Sequence, residues 1–167
     1  MGTRSLTYVV NSNNEVLCAI YGQFDGYPGD MGRGRDLYNF LAGRKLCNGI
    51  GADVWQNTSN GLDDLAALLV WYLKDGSRIG NIYLCPPPQL TAHEKRHAID
   101  GEDFRILVTH CAFYGGEYAY VITATERGEL RIIVFEGTEQ LYDGSPDGLA
   151  ERFGCTYPSP LSATMRA

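Results

Sequence analysis

Two short apolar runs near the N-terminus are separated by a polar turn. Residues 6–10 and 16–21 are rich in β-branched and aromatic side chains, and residues 11–14 between them read Asn-Ser-Asn-Asn. Asparagine tolerates the positive φ angles that tight turns require. The pattern therefore predicts an N-terminal β-hairpin.

A second pair of apolar runs is rich in aromatic and β-branched residues. Residues 117–125 and 129–136 flank a turn at residues 126–128, and Tyr118 and Tyr120 fall on the same side of the first run. A period of two is typical of a strand with two different faces. The pattern predicts a second hairpin.

Helical spacing is clearest over residues 62–74. A stripe with that period is formed by Leu65, Leu68, Leu69 and Tyr72. Asn60 precedes the run as a helix cap and Gly76 follows it as a stop. A shorter helix is predicted over residues 32–42, and it is followed by a Gly- and Asn-rich stretch.

The rest of the chain gives shorter signals. They predict strands at residues 79–84 and 104–111, helical turns at 90–99 and 148–153, a loop over 44–60 and a turn at 144–147. Hairpins combined with a long helix indicate an α+β fold with a largely antiparallel β-sheet and with helices packed on one face. We expect a single domain over residues 1–157 and a flexible C-terminal tail over residues 158–167.

Composition narrows the classes of function. The 167 residues carry a net charge of -6, which argues against general nucleic-acid binding, because phosphate backbones require a basic surface. No apolar run has the length of a membrane span. The first residues lack the apolar core of a signal peptide, so a cytoplasmic location is expected. Five widely spaced cysteines are predicted to be free thiols.

Residues 21–35 form the densest cluster of unusual residues in the chain, and we call this stretch the motif. It holds five glycines, two tyrosines and two arginines within fifteen residues. Gly32, Arg33 and Arg35 lie at the predicted start of a helix, where free N–H groups and guanidinium groups form a natural anion site. The alternative is a glycine-bearing strand-to-helix turn with exposed arginines, in which Asp25 caps the turn.

A literal H-E-x-x-H occurs at residues 93–97. On a helix, His93 and His97 would share a face and bind Zn²⁺, Glu94 would act as the general base, and His110 would be the third ligand. Two cations stand between the histidines, which favours a charged surface turn instead. No cofactor is expected on that interpretation.

A second catalytic possibility is an N-terminal nucleophile. If processing exposed Thr3, its own amine would serve as the base for its hydroxyl. Removal of Met1 leaves Gly2 in front of Thr3, so further trimming would be required.

Two pieces of the sequence together resemble a family of small proteins of tailed phages and prophages. Residues 3–5 read Thr-Arg-Ser, and residues 21–28 read Tyr-Gly-Gln-Phe-Asp-Gly-Tyr-Pro. The family has a Met-Ser-Thr-Arg-Ser type of start and a Tyr-x-His-Trp-Asp-Gly-Tyr-Pro motif before a helix. Here Gln23 and Phe24 replace the histidine and the tryptophan. Since glutamine does not exchange a proton near pH 7, binding is favoured over catalysis.

The leading hypothesis is a non-catalytic binding module. Its polar pocket would comprise Arg4, Tyr21, Gln23, Asp25, Tyr27, Gly32, Arg33 and Arg35. The ligand would be a small, nucleotide-like anion or, as the resemblance to phage proteins implies, a host protein. The alternative function is a hydrolase, either zinc-dependent or with an N-terminal nucleophile.

Overall fold

The computed structural model describes residues 2–49, 57–74, 82–89, 91–93 and 104–156. Within them, a six-stranded, mostly antiparallel sheet and a two-stranded parallel ribbon combine with four helices in one α+β domain. The α+β class and the largely antiparallel sheet that the apolar pattern predicts are confirmed.

The predicted N-terminal hairpin is present. Strand β1 (Ser5–Val10) pairs antiparallel with β2 (Val16–Gly22). Asn14 has a φ of 57°, and the Asn11 side-chain oxygen accepts a hydrogen bond from the Glu15 N–H at 2.9 Å. Asparagines thus shape the turn in the way that the sequence predicts.

The ribbon and the edge of the large sheet come from the middle of the chain. Strands β3 (Lys45–Cys47) and β4 (Thr58–Asn60) pair in parallel. They lie where a loop over residues 44–60 was predicted, and that prediction is wrong for these two short segments. Strand β5 (Ile82–Cys85) pairs with β2. It overlaps the predicted strand 79–84 and ends one residue beyond it.

The predicted second hairpin extends into a three-stranded meander. Strands β6 (Tyr118–Ala124) and β7 (Leu130–Glu136) form the hairpin, and β8 (Glu139–Gly144) adds to β7. Gly128 has a φ of 78° in the first turn, a backbone conformation that favours glycine. The sequence did not reveal β8, because this edge strand is mostly polar and largely exposed.

The strands of the large sheet follow the order β5–β2–β1–β6–β7–β8. Strand β1 is therefore central, and all six of its residues are buried. It pairs in parallel with β6, with Leu6 opposite Ala119, whereas the other strand pairs of this sheet are antiparallel.

The helices cover both faces of the sheet. They are α1 (Arg33–Leu41), α2 (Gly61–Lys74), α3 (Arg105–Phe113) and α4 (Gly148–Phe153). The first core packs α1, α2 and α4 against Val9, Ile20 and Tyr120. The second core packs α3 against Leu6, Tyr8 and their neighbours. Helices on both faces correct the expectation that they would share one face.

Helix α3 also corrects the strand predicted over residues 104–111. Its buried residues are Leu107, Val108 and Cys111, and Phe104 just before it is buried too. These positions repeat at i, i+3, i+4 and i+7, which is the spacing of one helix face. The run of apolar and β-branched residues suggested a strand, but the positions that are buried follow the helical period.

The predicted helices over residues 62–74 and 32–42 and the predicted turn over 148–153 are confirmed as α2, α1 and α4. At the start of α2, the Asn60 N–H donates to Asp64 Oδ2 at 2.8 Å. Most of the predicted helix 90–99 and the whole predicted tail 158–167 lie outside the described residues.

Among the helices of the described residues, none combines the length and the apolar character that a membrane crossing demands.

Candidate functional site

The loop that joins β2 to α1 packs against the residues just before β1 and against β6. The Gly26 N–H donates to the Thr3 carbonyl oxygen at 3.0 Å, and the Tyr120 hydroxyl donates to the Gly26 carbonyl oxygen at 2.6 Å. A Cβ atom at position 26 would lie 2.8 Å from the Arg4 carbonyl carbon. Because the two backbones approach so closely, only glycine fits there.

Carbonyl oxygens of the loop accept hydrogen bonds from the first N–H groups of α1. The Arg33 N–H donates to the Asp25 carbonyl oxygen at 2.7 Å, and the Gly34 N–H donates to the Tyr27 carbonyl oxygen at 3.3 Å. A Cβ atom on Gly32 would collide with Tyr27. These backbone groups satisfy donors that the start of a helix leaves open. The motif thus caps its own helix at the two N–H groups that the anion-site hypothesis needs.

The Arg33 side chain is buried, with 4% of its surface exposed. Its Nη1 is 3.4 Å from Asp36 Oδ2, and a Cβ atom on Gly22 would lie 2.9 Å from its Nη2. Burial raises the pKa of the Tyr120 hydroxyl well above its usual value, and the charge of Arg33 opposes that rise. Tyr120 keeps its proton at neutral pH and remains the donor to the motif loop.

The structure does not bring all the predicted pocket residues to one side of the sheet. Tyr21 lies on the face of the second core, with its ring centroid 6.3 Å from that of Tyr83. Arg33 lies near Tyr120, which belongs to the first core on the other face. Arg4 is exposed.

The other predicted residues belong to the surface of the motif. Asp25 is exposed, with a φ of 53°, whereas Gln23 and Tyr27 are half-buried. Arg35 Nη1 lies 3.7 Å from Asp30 Oδ1. Backbone contacts with Arg33 and Gly34 therefore account for the positions of Asp25 and Tyr27.

The histidines of the zinc hypothesis are only partly within the described residues. His93 is exposed, and Glu94 and His97 lie outside the described part. His110 on α3 has Nδ1 2.8 Å from the Tyr8 hydroxyl and Nε2 3.1 Å from the Pro86 carbonyl oxygen. Burial lowers the pKa of His110, and the Pro86 carbonyl opposes this effect. No three His, Cys, Asp or Glu side chains gather to hold a metal ion in the described ranges.

An open cavity of about 740 Å³ lies at the end of α1 that is distant from the motif. Residues 41–46, 125–131 and 144–147 contribute to its lining, and we call it the basic cleft. The basic residues of its lining are Arg44, Lys45, Arg127 and Arg131, and the acidic ones are Glu129 and Asp147. Apolar residues also line it, among them Leu41, Leu46, Leu130 and Pro146.

Two of these cations are held in place by the fold. Arg44 Nε donates to the Phe40 carbonyl oxygen at 3.0 Å, Nη1 donates to Ser59 Oγ at 3.2 Å, and the guanidinium carbon lies 4.2 Å from the Phe40 ring centroid. Burial lowers the pKa of Arg44, yet a guanidinium group stays protonated at neutral pH. Arg131 donates two hydrogen bonds to Asp143, at 2.7 and 2.6 Å.

The other two cations are exposed. Lys45 follows α1, and Arg127 lies at the turn between β6 and β7. Neither forms an ion pair with another residue of the described part. Their charges are therefore available to a ligand in the cleft.

Sequence reasoning missed the basic cleft. Its cations come from the end of α1, the start of β3, and the hairpin of β6 and β7, which are far apart in the chain. The sequence offered two local signals, the adjacent pair Arg44 and Lys45 and the charged hairpin turn at Arg127. Nothing in the sequence alone showed that they face the same space.

Comparisons with protein-family models, with curated proteins and with solved structures find no match to this chain. The resemblance to phage proteins thus rests on the residues of the motif and of the N-terminus.

Proposed function

We propose that the protein is a cytoplasmic, phage-type and non-catalytic binding module that holds a small anionic ligand in the basic cleft. The observation that carries the proposal is the charge of this cavity. Four basic and two acidic residues line it, and within the described residues only one of the four, Arg131, is paired with a carboxylate, that of Asp143, although the whole chain has a net charge of -6. Basic residues gathered around a concave site attract anions and concentrate them locally.

The fixed and the exposed cations of the cleft complement each other. Arg44 is anchored by Phe40 and Ser59, so it loses little side-chain freedom when a ligand arrives. Lys45 and Arg127 are exposed at the rim of the cleft, where their side chains contact a bound anion. Charge-assisted hydrogen bonds from such groups to phosphate or carboxylate oxygens are the strong ones among protein hydrogen bonds.

The chemistry of the lining supports binding rather than catalysis. Arginine and lysine do not exchange protons readily near pH 7, and the described lining adds the carboxylates of Glu129 and Asp147 but no histidine, cysteine or tyrosine. All five cysteines of the chain are free, which supports the cytoplasmic part of the proposal.

The test is the binding of inorganic pyrophosphate by isothermal titration calorimetry at low ionic strength. Arg127→Gln should weaken binding by about tenfold or more, because it removes a charge-assisted contact. Binding should also weaken as salt is added.

Arg4→Gln is the matched control, since Arg4 is an exposed arginine at the other end of the sheet. It should leave the affinity unchanged. If the wild-type protein does not bind pyrophosphate, the proposal is wrong. If Arg4→Gln and not Arg127→Gln loses binding, the ligand site lies at the motif instead.

A further inference from the structure

A second cavity, of about 680 Å³, lies between the turn that joins β1 to β2 and the turn that joins β6 to β7. Phe104 of the second core lines it, whereas Leu41 and Leu130 of the first core line the basic cleft. The two cavities therefore lie on opposite faces of the β6–β7 hairpin. We call the second one the polar cavity.

The polar cavity differs from the basic cleft in its charge. Two basic residues, Arg127 and Arg131, and two acidic ones, Glu126 and Glu129, line it. Because the charges balance, the cavity does not concentrate ions of either sign in the way that a cleft of one sign does. Its volume lies within the size range of sites for small molecules. A ligand that suits it is small, polar and neutral.

Thr123 is the most buried polar residue of the lining, at 6% exposure. It lies on β6, on the same face as Ala119 and Val121 of the second core. Its hydroxyl has no hydrogen-bond partner within the described part of the chain. An apolar ligand would displace water from this hydroxyl without replacing its hydrogen bonds, which is unfavourable. The cavity therefore favours a ligand that hydrogen-bonds to Thr123.

The acidic residues of the polar cavity are open to a ligand as well. Glu126 and Glu129 are exposed, and in the described ranges the side chain of neither one forms an ion pair or a hydrogen bond. Carboxylate oxygens accept hydrogen bonds and do not donate them when ionised. Arg131, which lies opposite Thr123 on β7, is already bound by Asp143. The ligand must therefore offer several hydrogen-bond donors.

Local hydrogen bonds fix the two turns that border the polar cavity. In the first turn, Asn11 Oδ1 accepts from the N–H groups of Asn13 and Glu15 at 3.0 and 2.9 Å. In the second turn, Thr125 Oγ1 accepts from the Glu129 N–H at 3.2 Å, and the Thr125 carbonyl accepts from the Gly128 N–H at 2.9 Å. The walls are thus preorganised, which lowers the entropic cost of binding a ligand.

From this arrangement we propose that the polar cavity is a binding site for a neutral sugar. The hydroxyls of a sugar donate to Glu126 and Glu129, and they both donate to and accept from the Thr123 hydroxyl. Its C–H groups pack against the Phe104 ring, which supplies the apolar part of the lining. This site goes beyond the anion-binding function and does not depend on it.

The experiment is a titration of the isotope-labelled protein with D-glucose, D-galactose and D-mannose in turn, followed by amide chemical shifts. At least one sugar should produce shifts that saturate and that are concentrated at residues 11–14 and 123–129. Pyrophosphate, added separately, should not shift residues 11–14, because they do not line the basic cleft.

Thr123→Val tests the location of the site. Valine has nearly the shape of threonine and removes a hydroxyl that has no partner in the described part, so the variant should be as stable as the wild-type protein. It should weaken sugar binding by about tenfold, since a hydrogen bond to the ligand is lost. Thr109→Val is the matched control, because Thr109 is exposed on α3 and does not line the cavity.

Lys45→Gln separates the sugar site from the anion site, since Lys45 lines the basic cleft and not the polar cavity. It should weaken pyrophosphate binding and leave sugar binding unchanged. If none of the three sugars gives saturating shifts, the sugar proposal is wrong, whatever pyrophosphate does. If a sugar binds equally well to Thr123→Val, or shifts residues elsewhere in the chain, the polar cavity is not its site and the proposal is wrong too.

Discussion

Tyr118 and Tyr120 lie on the same face of β6, but their hydroxyls have different surroundings. Tyr120 is fully buried and donates to the Gly26 carbonyl oxygen at 2.6 Å. Tyr118 donates to Glu136 Oε1 at 2.9 Å at the surface. When a buried donor is lost, its acceptor is left without water to replace it, so the two hydrogen bonds should differ in their contribution to stability.

Tyr120→Phe is therefore expected to lower the free energy of unfolding by about 1–3 kcal/mol. Tyr118→Phe, the matched control, should change it by less than about 0.5 kcal/mol, as surface substitutions usually do. Urea denaturation followed by circular dichroism measures both. Equal losses in the two variants would show that the bond to Gly26 does not hold the motif loop.

At the scale of the elements, the hairpins and the helices α1 and α2 could be predicted because their signals are local. Two runs of aromatic and β-branched residues around a charged turn indicated β6 and β7, and asparagines indicated the turn after β1. Helix α3 was missed because Ile106 and Val108 suggested a strand, while the helical spacing of its buried residues was equally present in the sequence. Which period applies depends on the tertiary partner, and here that partner is the second face of the sheet.

The candidate site was harder to predict than the elements. The start of α1 has the composition of an anion site, but the loop that precedes it folds back and uses its N–H groups. The basic cleft depends on the pairing of distant strands, which no local pattern encodes. Sequence reasoning therefore identified the segment with the unusual backbone and missed the position of the cavity.

The packing of α1 against the motif loop leads to a prediction for Gly34. In an open helix, Gly→Ala stabilises by up to about 1 kcal/mol. Here a Cβ atom would collide with the Pro28 carbonyl group, and we expect Gly34→Ala to destabilise the protein by about 1–3 kcal/mol. Thermal unfolding measures the change.

Gly29→Ala is the control from the same loop. A Cβ atom at position 29 has its nearest neighbour at 3.7 Å, the Phe153 carbonyl oxygen, which is an ordinary contact. Its unfolding temperature should stay close to that of the wild-type protein. A Gly34→Ala variant that is as stable as Gly29→Ala would mean that the loop does not pack tightly on α1.

At the scale of the whole molecule, β1 joins the two cores. Val9 points into the first core, and Leu6 and Tyr8 point into the second. Because one strand contributes to both sides, we expect the two cores to unfold together.

Leu65→Ala on α2 and Leu107→Ala on α3 test this coupling, since both leucines are buried, at 0% and 1% exposure. Each should lower the free energy of unfolding by about 2–5 kcal/mol. Tryptophan fluorescence and far-ultraviolet circular dichroism should report one common transition in each variant. If Leu107→Ala instead splits the unfolding into two transitions, the second core is an independent unit.

The position of β1 also has a consequence for synthesis on the ribosome. Leu6 pairs with Ala119, so the parallel partner of the central strand is translated long after it. At about 5–20 residues per second, the wait is on the order of ten seconds. During that time the nascent hairpin has one open, apolar edge, and such edges recruit other chains. Products of premature termination before β6 should therefore aggregate or be degraded, and complete chains should depend on chaperones that shelter this edge.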